Sequence, residues 1–363
     1  MTDRADGSRR VALLLPADCE RYTGGYIWES RVVRELRELG WTVEERDLPP
    51  GFPHPDAAAR AGSARVLAGY PDGALILSES YATSTMPEVL AVEARRLRLV
   101  TIVHHPLADE TGLAPDERAR LLDHERESLR HLVEVIVPSR LTGAALARDY
   151  AVPASRLTLA CPGTDPAPPA RGSGGREVQL LAVSAVLPRK DHLALIEALG
   201  TMPDLPWRMR IVGNLVRFPE TVSALRARAA ALGITHRIEL TGEVSPAELA
   251  AARDGADLQV STSRHEGYGM ALAEGVACGL PTVAVAGGAI AEWLTADAAL
   301  LVPPGDPAAL AAALRQAIAD RSAREQLRRG AIRLRDHLPS WRSTALAVEQ
   351  ALLKALKAPS SSG

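Results

Sequence analysis

The stretch Ser263-Arg-His-Glu-Gly-Tyr-Gly-Met-Ala-Leu-Ala-Glu-Gly-Val-Ala-Cys-Gly-Leu-Pro281 sets the reading of the whole chain. The apolar run Leu258–Val260 just ahead of it reads as a strand. From Tyr268 the alanine-rich sequence is helical to Cys278, with Gly279 and Pro281 as stop signals. A helix start carries unpaired backbone N–H groups and a positive partial charge, so Gly267, Tyr268, Gly269 and Met270 should favour an anionic ligand. Glu266 stands just before this turn, and Glu274 follows inside the apolar helix. Two carboxylates beside an anion site fit sugar and ribose hydroxyls, because an ionised carboxylate accepts several hydrogen bonds at once. The segment suits a nucleotide-sugar.

Working outward, short apolar runs alternate with longer helical patterns, the signature of an α/β fold with parallel sheets. The first half predicts strands at Arg10–Pro16, Thr42–Asp47, Ala74–Ser78, Leu97–His104, Val133–Pro138 and Leu157–Ala160. Helices are expected at Trp28–Leu39, Pro115–Leu132 and Leu141–Tyr150. Pro162–Arg176 is rich in Pro, Gly and Ser and reads as an interdomain linker, its core at 166–176. The alternation then restarts, with strands at Val178–Val183, Arg208–Val212, Arg237–Leu240, Leu258–Val260, Thr282–Val285 and Leu300–Val302. Helices are expected at His192–Leu199, Thr221–Leu232, Pro246–Arg253, Tyr268–Cys278 and Pro307–Asp320, and a last amphipathic one at Trp341–Leu356. Two Rossmann-like units result, one over 1–165 and one over 177–340, with ligands expected at strand carboxyl ends and in a central cleft.

Composition narrows the function. At 363 residues the chain exceeds one ordinary core. A net charge of −2 argues against wholesale nucleic-acid binding. Cys19, Cys161 and Cys278 are scattered without CxxC spacing, which points to a reducing compartment and away from a disulfide frame or zinc site. Met1–Arg10 is polar, no signal peptide is apparent, and no apolar run reaches spanning length. A cytoplasmic protein is expected.

Three further elements are candidates, each beside a plainer alternative. Gly24-Gly25-Tyr26 follows the first strand and opens the first helix, where glycines permit close approach to a ligand; an ordinary turn explains them equally. Val103-His104-His105-Pro106 ends an apolar strand, so at most one of the two adjacent histidines should face a ligand. A metal would need further ligands beside it, and none is suggested. Arg189-Lys190 follows the first strand of the second half, where paired cations suit a diphosphate; an exposed basic loop is the alternative. A solvated face explains Glu274 poorly, because Leu272, Ala273, Val276 and Ala277 flank it with no cation one turn away. The chain lacks any Asp-x-Asp pair, so Arg189, Lys190 and a helix start would neutralise a diphosphate without a metal ion or other cofactor.

Together these segments resemble glycosyltransferase family 4, retaining enzymes of the two-Rossmann-domain architecture called GT-B. The most specific match is Glu266-Gly-Tyr-Gly-Met-Ala-Leu-Ala-Glu274, the family's Glu–seven residues–Glu signature. Pro162-Gly-Thr-Asp165, Pro188-Arg-Lys190, Ile211-Val-Gly213, Arg237-Ile-Glu-Leu-Thr-Gly242 and Leu301-Val-Pro-Pro-Gly-Asp306 support it, and the resemblance spans nearly the whole chain. It implies that Arg189 and Lys190 hold the donor diphosphate, that Glu274 binds the ribose, and that the backbone near Ile238 binds the base. Glu266 would bind the transferred sugar with the amides of Gly267, Tyr268 and Gly269, and His104 would approach that sugar from the first domain. Gly24 and Gly25 would form a glycine loop near diphosphate and acceptor. The terminal helix from Trp341 would pack back on the first domain. One departure is Ser184-Ala185-Val186, where many members carry a Gly-Arg pair.

The implied reaction is transfer from a UDP- or GDP-sugar to an acceptor hydroxyl with retention, by same-face attack and with domain closure excluding water. The acceptor is expected to be small and soluble, because neither Pro115–Leu132 nor Trp28–Leu39 is a convincing basic membrane helix; peripheral membrane contact stays open. Its recognition falls to loops around Tyr26, Ser78–Met86 and Pro106–Leu113. Rival readings are a nucleotide-sugar epimerase or sugar phosphorylase on the same layout, and an inactive nucleotide-sugar-binding protein.

Overall fold

The computed structural model describes residues 9–18 and 23–358. Cys19, the polar start at 1–8 and the tail at 359–363 lie outside the described residues. Among the described residues, twelve strands form two sheets of six, every pairing parallel. Contacts divide the chain into one unit of Met1–Gly163 with Pro339–Gly363, and a second of Thr164–Leu338.

In the first unit β1 (Arg10–Pro16), β2 (Thr42–Leu48), β3 (Leu75–Glu79), β4 (Arg98–Ile102), β5 (Glu134–Val137) and β6 (Leu157–Leu159) lie in the order β2-β1-β3-β4-β5-β6. Central strands such as β5, Glu-Val-Ile-Val, are buried along their whole length because helices cover both faces of a parallel sheet. The edge strand β2 instead exposes Glu44, Glu45, Arg46 and Asp47, charges that discourage further pairing. The closing helix Trp341–Lys357 packs on the helix Gly24–Glu38. Trp41 Nε1 donates to Glu349 at 3.0 Å, Thr344 to the Cys161 carbonyl at 2.7 Å, and Lys354 reaches the fully buried Glu134.

In the second unit β7 (Val178–Val183), β8 (Trp207–Val212), β9 (Ile238–Gly242), β10 (Leu258–Ser261), β11 (Thr282–Val285) and β12 (Ala299–Val302) lie in the order β12-β11-β10-β7-β8-β9. Its core gathers Leu180, Leu195, Trp207, Ile211, Val260 and Leu314. All twelve expected strands are present, with ends that match or shift by at most two residues.

Several helices differ from expectation. The first begins at Gly24 rather than Trp28, because Thr23 caps it by accepting the Tyr26 N–H. Gly24 and Gly25 are therefore first-turn helical residues, not a loop. The helix expected from Tyr268 begins at Met270, because Gly269 takes a left-handed φ of +93°. Helices Ala57–Ala68, Pro87–Glu93 and Arg321–Leu334 went unread. The last buries Leu327, Gly330 and Ala331 on one narrow face, in line with Ala323 and Leu334 at helical spacing. The Pro/Gly/Ser segment has no regular structure, yet its 170–173 stretch is tied to the second unit. Ala170 N–H bonds the Cys278 carbonyl, Arg171 pairs with Asp254, and Ser173 bonds Asp257. Cys278 is a free thiol. No helix among the described residues is long and apolar enough to cross a membrane.

Candidate functional site

In the second unit two turns meet at the carboxyl edge of the sheet. The chain leaves β7, passes through the short turn Pro188–Lys190, and enters the helix His192–Gly200 through Asp191, held at φ +48°. The chain leaving β10 runs alongside. Arg264 N–H donates to the Arg189 carbonyl, Thr262 Oγ1 to the Lys190 carbonyl, and Arg264 Nε to Asp191 at 2.7 Å. Arg189 Nη1 in turn donates to the His265 carbonyl at 2.8 Å.

This lacing brings Lys190 Nζ to 2.5 Å from Glu266 Oε1 and Arg189 Nη1 to 3.8 Å from its Oε2. The three side chains are 14–16% exposed, so the charges interact with little screening. Burial alone would raise the Glu266 carboxyl; Lys190, Arg189 and a Ser263 hydrogen bond overcome it and hold the group at about 2. Glu266 is positioned from below by Gly287 and Gly288. Glu266 N–H donates to the Gly287 carbonyl, and Ala289 N–H to the Glu266 carbonyl. A Cβ on Gly288 would stand 2.2 Å from that carbonyl oxygen, and one on Gly287 2.4 Å from the Ser263 carbonyl oxygen. Only glycine allows this approach.

Past Glu266, Gly267 leads to Tyr268, whose ring stacks on Trp293 at 5.5 Å while Trp293 Nε1 donates to the Tyr268 carbonyl. Gly269 then caps the helix Met270–Ala277, which begins four residues after Glu266. A half-buried cation pair, a fixed carboxylate and a nearby helix start suit an anion next to a hydroxyl-bearing group.

Glu274 sits on that helix, 32% exposed, and it is not unpaired. Arg253 Nη2, from the helix Pro246–Asp254, forms a hydrogen-bonded ion pair with its Oε2. The expectation of a carboxylate without a cation fails because it considered only neighbours on the same helix. Ile238 is not brought to this edge at all. It opens β9 at the amino end, whereas Lys190 and Glu266 follow the carboxyl ends of β7 and β10 in a parallel sheet. The carboxyl end of β9 is Gly242, at φ +76°.

In the first unit, His104 follows β4 and its ring is 21% exposed. Its Nε2 lies 3.2 Å from Oε1 of Glu29, and Trp28 meets its face edge-on at 5.3 Å. Glu79, ending β3, completes the group, and a Cβ on Gly25 would lie 3.3 Å from the imidazole. Burial pushes His104 down, opposed by Glu79. Burial, with Glu29 nearby, pushes Glu79 up to about 8, and burial also raises Glu29. The ligand atoms of Glu29, Glu79 and His104 lie within 4.8 Å of one another, a spacing that could hold a cation. No companions to His104 were expected; the fold supplies two.

Sequence reasoning thus missed Glu29, Glu79, Arg253, Trp293 and the Gly287-Gly288 pair. Only the glycine doublet, just after an apolar strand, carried a visible local signal.

Residues 166–334 match the family described as Glycosyl transferases group 1. A D-inositol 3-phosphate glycosyltransferase of Jonesia denitrificans is 27% identical over 254 residues, covering 64% of this chain and 59% of that protein. One of the same name from Thermobispora bispora is 26% identical over 392 aligned residues, covering 92% and 90%. Among solved structures, a sucrose-phosphate synthase of Thermosynechococcus elongatus superposes with a TM-score of 0.78 at 20% identity, covering 94% of this chain and 97% of that one.

Proposed function

We infer the reaction from the premise that this chain is a glycosyltransferase of GT-B fold whose residues 166–334 form a group 1 domain. It moves a sugar from a UDP- or GDP-sugar to a hydroxyl of a small soluble acceptor, with retention at the anomeric carbon. The observation that carries this reading is the junction of Lys190 and Glu266 at the start of the helix Met270–Ala277.

A bound donor would exchange partners there. Its diphosphate would take the Lys190 ammonium, the Arg189 guanidinium and the first amides at Gly267–Met270, leaving the Glu266 carboxylate to accept from sugar hydroxyls. As the glycosidic bond breaks, its electron pair passes to the phosphate oxygen, where the same cations stabilise the growing charge. The acceptor oxygen bonds the anomeric carbon on the face just vacated, and its proton passes to the departing phosphate. His104 orients the sugar. Because protein cations meet the diphosphate charge, the transfer runs without a divalent ion. Glu274 binds the ribose. The names of the relatives support a polyol or polyol phosphate as acceptor.

The test is incubation of the full chain with UDP- and GDP-sugars and a panel of inositols, inositol phosphates and simple sugars. Expected is a glycoside of retained configuration by NMR, with free nucleoside diphosphate, at a rate unchanged by EDTA. Epimerised donor with no acceptor consumed, sugar phosphate formed from inorganic phosphate, or nucleotide binding with no turnover across the panel would each replace this reading with a rival.

A further inference from the structure

The helix Met270–Ala277 is clamped to its sheet. Gln259 on β10 reaches under it, donating from Nε2 to the Leu272 carbonyl at 3.2 Å and to Thr282 Oγ1 at 2.7 Å. Gly275 makes room for that amide, since any Cβ there would collide with Gln259 Oε1. Gln259 and Thr282 are buried, so sliding or rolling of the helix would break buried hydrogen bonds. At position 274 the remaining freedom is therefore in the side chain. A glutamate has three rotatable bonds, and an exposed one samples many rotamers.

Arg253 removes that freedom. Its side chain is 13% exposed and pairs through Nη2 with Oε2 of Glu274. Its Nε is buried without a hydrogen-bond partner among the described residues. The adjacent Asp254 does not compete for the guanidinium, because Arg171 holds it from the other side at 2.7 Å. Burial brings a charged side chain to this place at a cost that only a strong partner offsets, and that partner is Glu274. With Oε2 engaged, Oε1 is left aimed in one direction.

We propose that Arg253 is a positioning residue that aims the Glu274 carboxylate at the ribose hydroxyls of the donor, and thereby sets the preference for ribo- over deoxyribonucleotides. This rests on the reading of Glu274 as the ribose-binding residue. Arg253 acts as the outer partner of a ligand-binding group, which orients that group without touching the ligand. A freed carboxylate would still accept hydrogen bonds, but it would first have to be ordered by each ligand, and the penalty for a missing hydroxyl would shrink.

Equilibrium binding of UDP and GDP, and of their 2′-deoxy and 3′-deoxy forms, to the full chain tests this by calorimetry. Native protein should prefer the better-bound ribonucleotide over its deoxy forms by about tenfold or more. Arg253→Gln should lose most of that ratio, and Arg253→Lys, which keeps the charge but not the fork, should retain part of it. Combined with Glu274→Gln, Arg253→Gln should add nothing further to the loss. A folded Arg253→Gln protein with the native ratio would overturn the inference, as would losses from Arg253→Gln and Glu274→Gln that simply add. If Arg253→Gln does not fold, an undiminished ratio in Arg253→Lys overturns it. Native protein indifferent to both hydroxyls would overturn the ribose role of Glu274 and this inference with it. The diphosphate assignment is judged separately, by the effect of Lys190→Ala on affinity for the same ligands.

Discussion

The ammonium of Lys190 lies 2.5 Å from Oε1 of Glu266, across 76 positions of sequence and within one carboxyl edge of one sheet. In this pair the group assigned to phosphate neutralises the group assigned to sugar. The pair thereby leaves neither charge uncompensated.

Replacing Lys190 with alanine removes the cation nearest Glu266 from the proposed diphosphate seat. We expect kcat/KM for transfer to fall by about 10²-fold or more, with affinity for the free nucleoside diphosphate weakened as well. Initial rates and calorimetry check this. Unchanged turnover and affinity would remove Lys190 from the donor site.

The same pair makes stability depend on acid. The folded Glu266 carboxyl is held at about 2, below its unfolded value of about 4. Its contribution is fully present above the unfolded value and is lost as pH falls from about 4 towards 2. Lys190→Met takes away the principal cation, so burial weighs more and the loss should begin at higher pH. Urea unfolding at pH 5, 4 and 3 measures both proteins, and parallel curves would contradict the coupling.

Gly288→Ala should destabilise the second unit by more than about 2 kcal/mol, because the added methyl has no room beside the Glu266 carbonyl and φ is +70°. Gly305→Ala is the control. It shares a left-handed φ of +77° but has nothing within 4 Å of a Cβ, and should cost about 1 kcal/mol. Chemical denaturation distinguishes the two; equal losses would mean that backbone conformation alone dictates Gly288.

Lys354→Met strands the carboxylate of Glu134, which is fully buried and otherwise bonded by Thr158 at 2.6 Å. A loss of about 3 kcal/mol from the first unit is expected, with Glu134→Gln costing less in the Lys354→Met background than in the native one. A loss below about 1 kcal/mol would show that the pair is well solvated.

Much of the architecture was legible along the chain. The strands Arg10–Pro16, Val178–Val183 and Thr282–Val285 are mostly apolar runs, and their bounds match those the sequence predicts. Arg321–Leu334 was legible too, since Ala323, Leu327, Ala331 and Leu334 recur at helical spacing; only the close approach of Gly330 to the Asp297 backbone needed the structure. Helix starts moved where a side-chain cap or a left-handed glycine decided them, as at Thr23 and Gly269.

For the candidate site, local order was enough to place Lys190, Glu266 and Gly269 at strand-to-helix turns and Glu274 on the helix behind one of them, because such turns are written in consecutive residues. What local order could not express is partnership. Arg253 reaches Glu274 from another helix, Gly287-Gly288 support Glu266 from another turn, and Glu29 and Glu79 reach His104 from two separate elements. Ile238 went astray for the same reason: its place at the amino end of β9 follows from the direction of a parallel sheet. Backbone conformation is governed by neighbours in the chain, whereas charge pairing and close packing are governed by neighbours in space, and only folding brings those together.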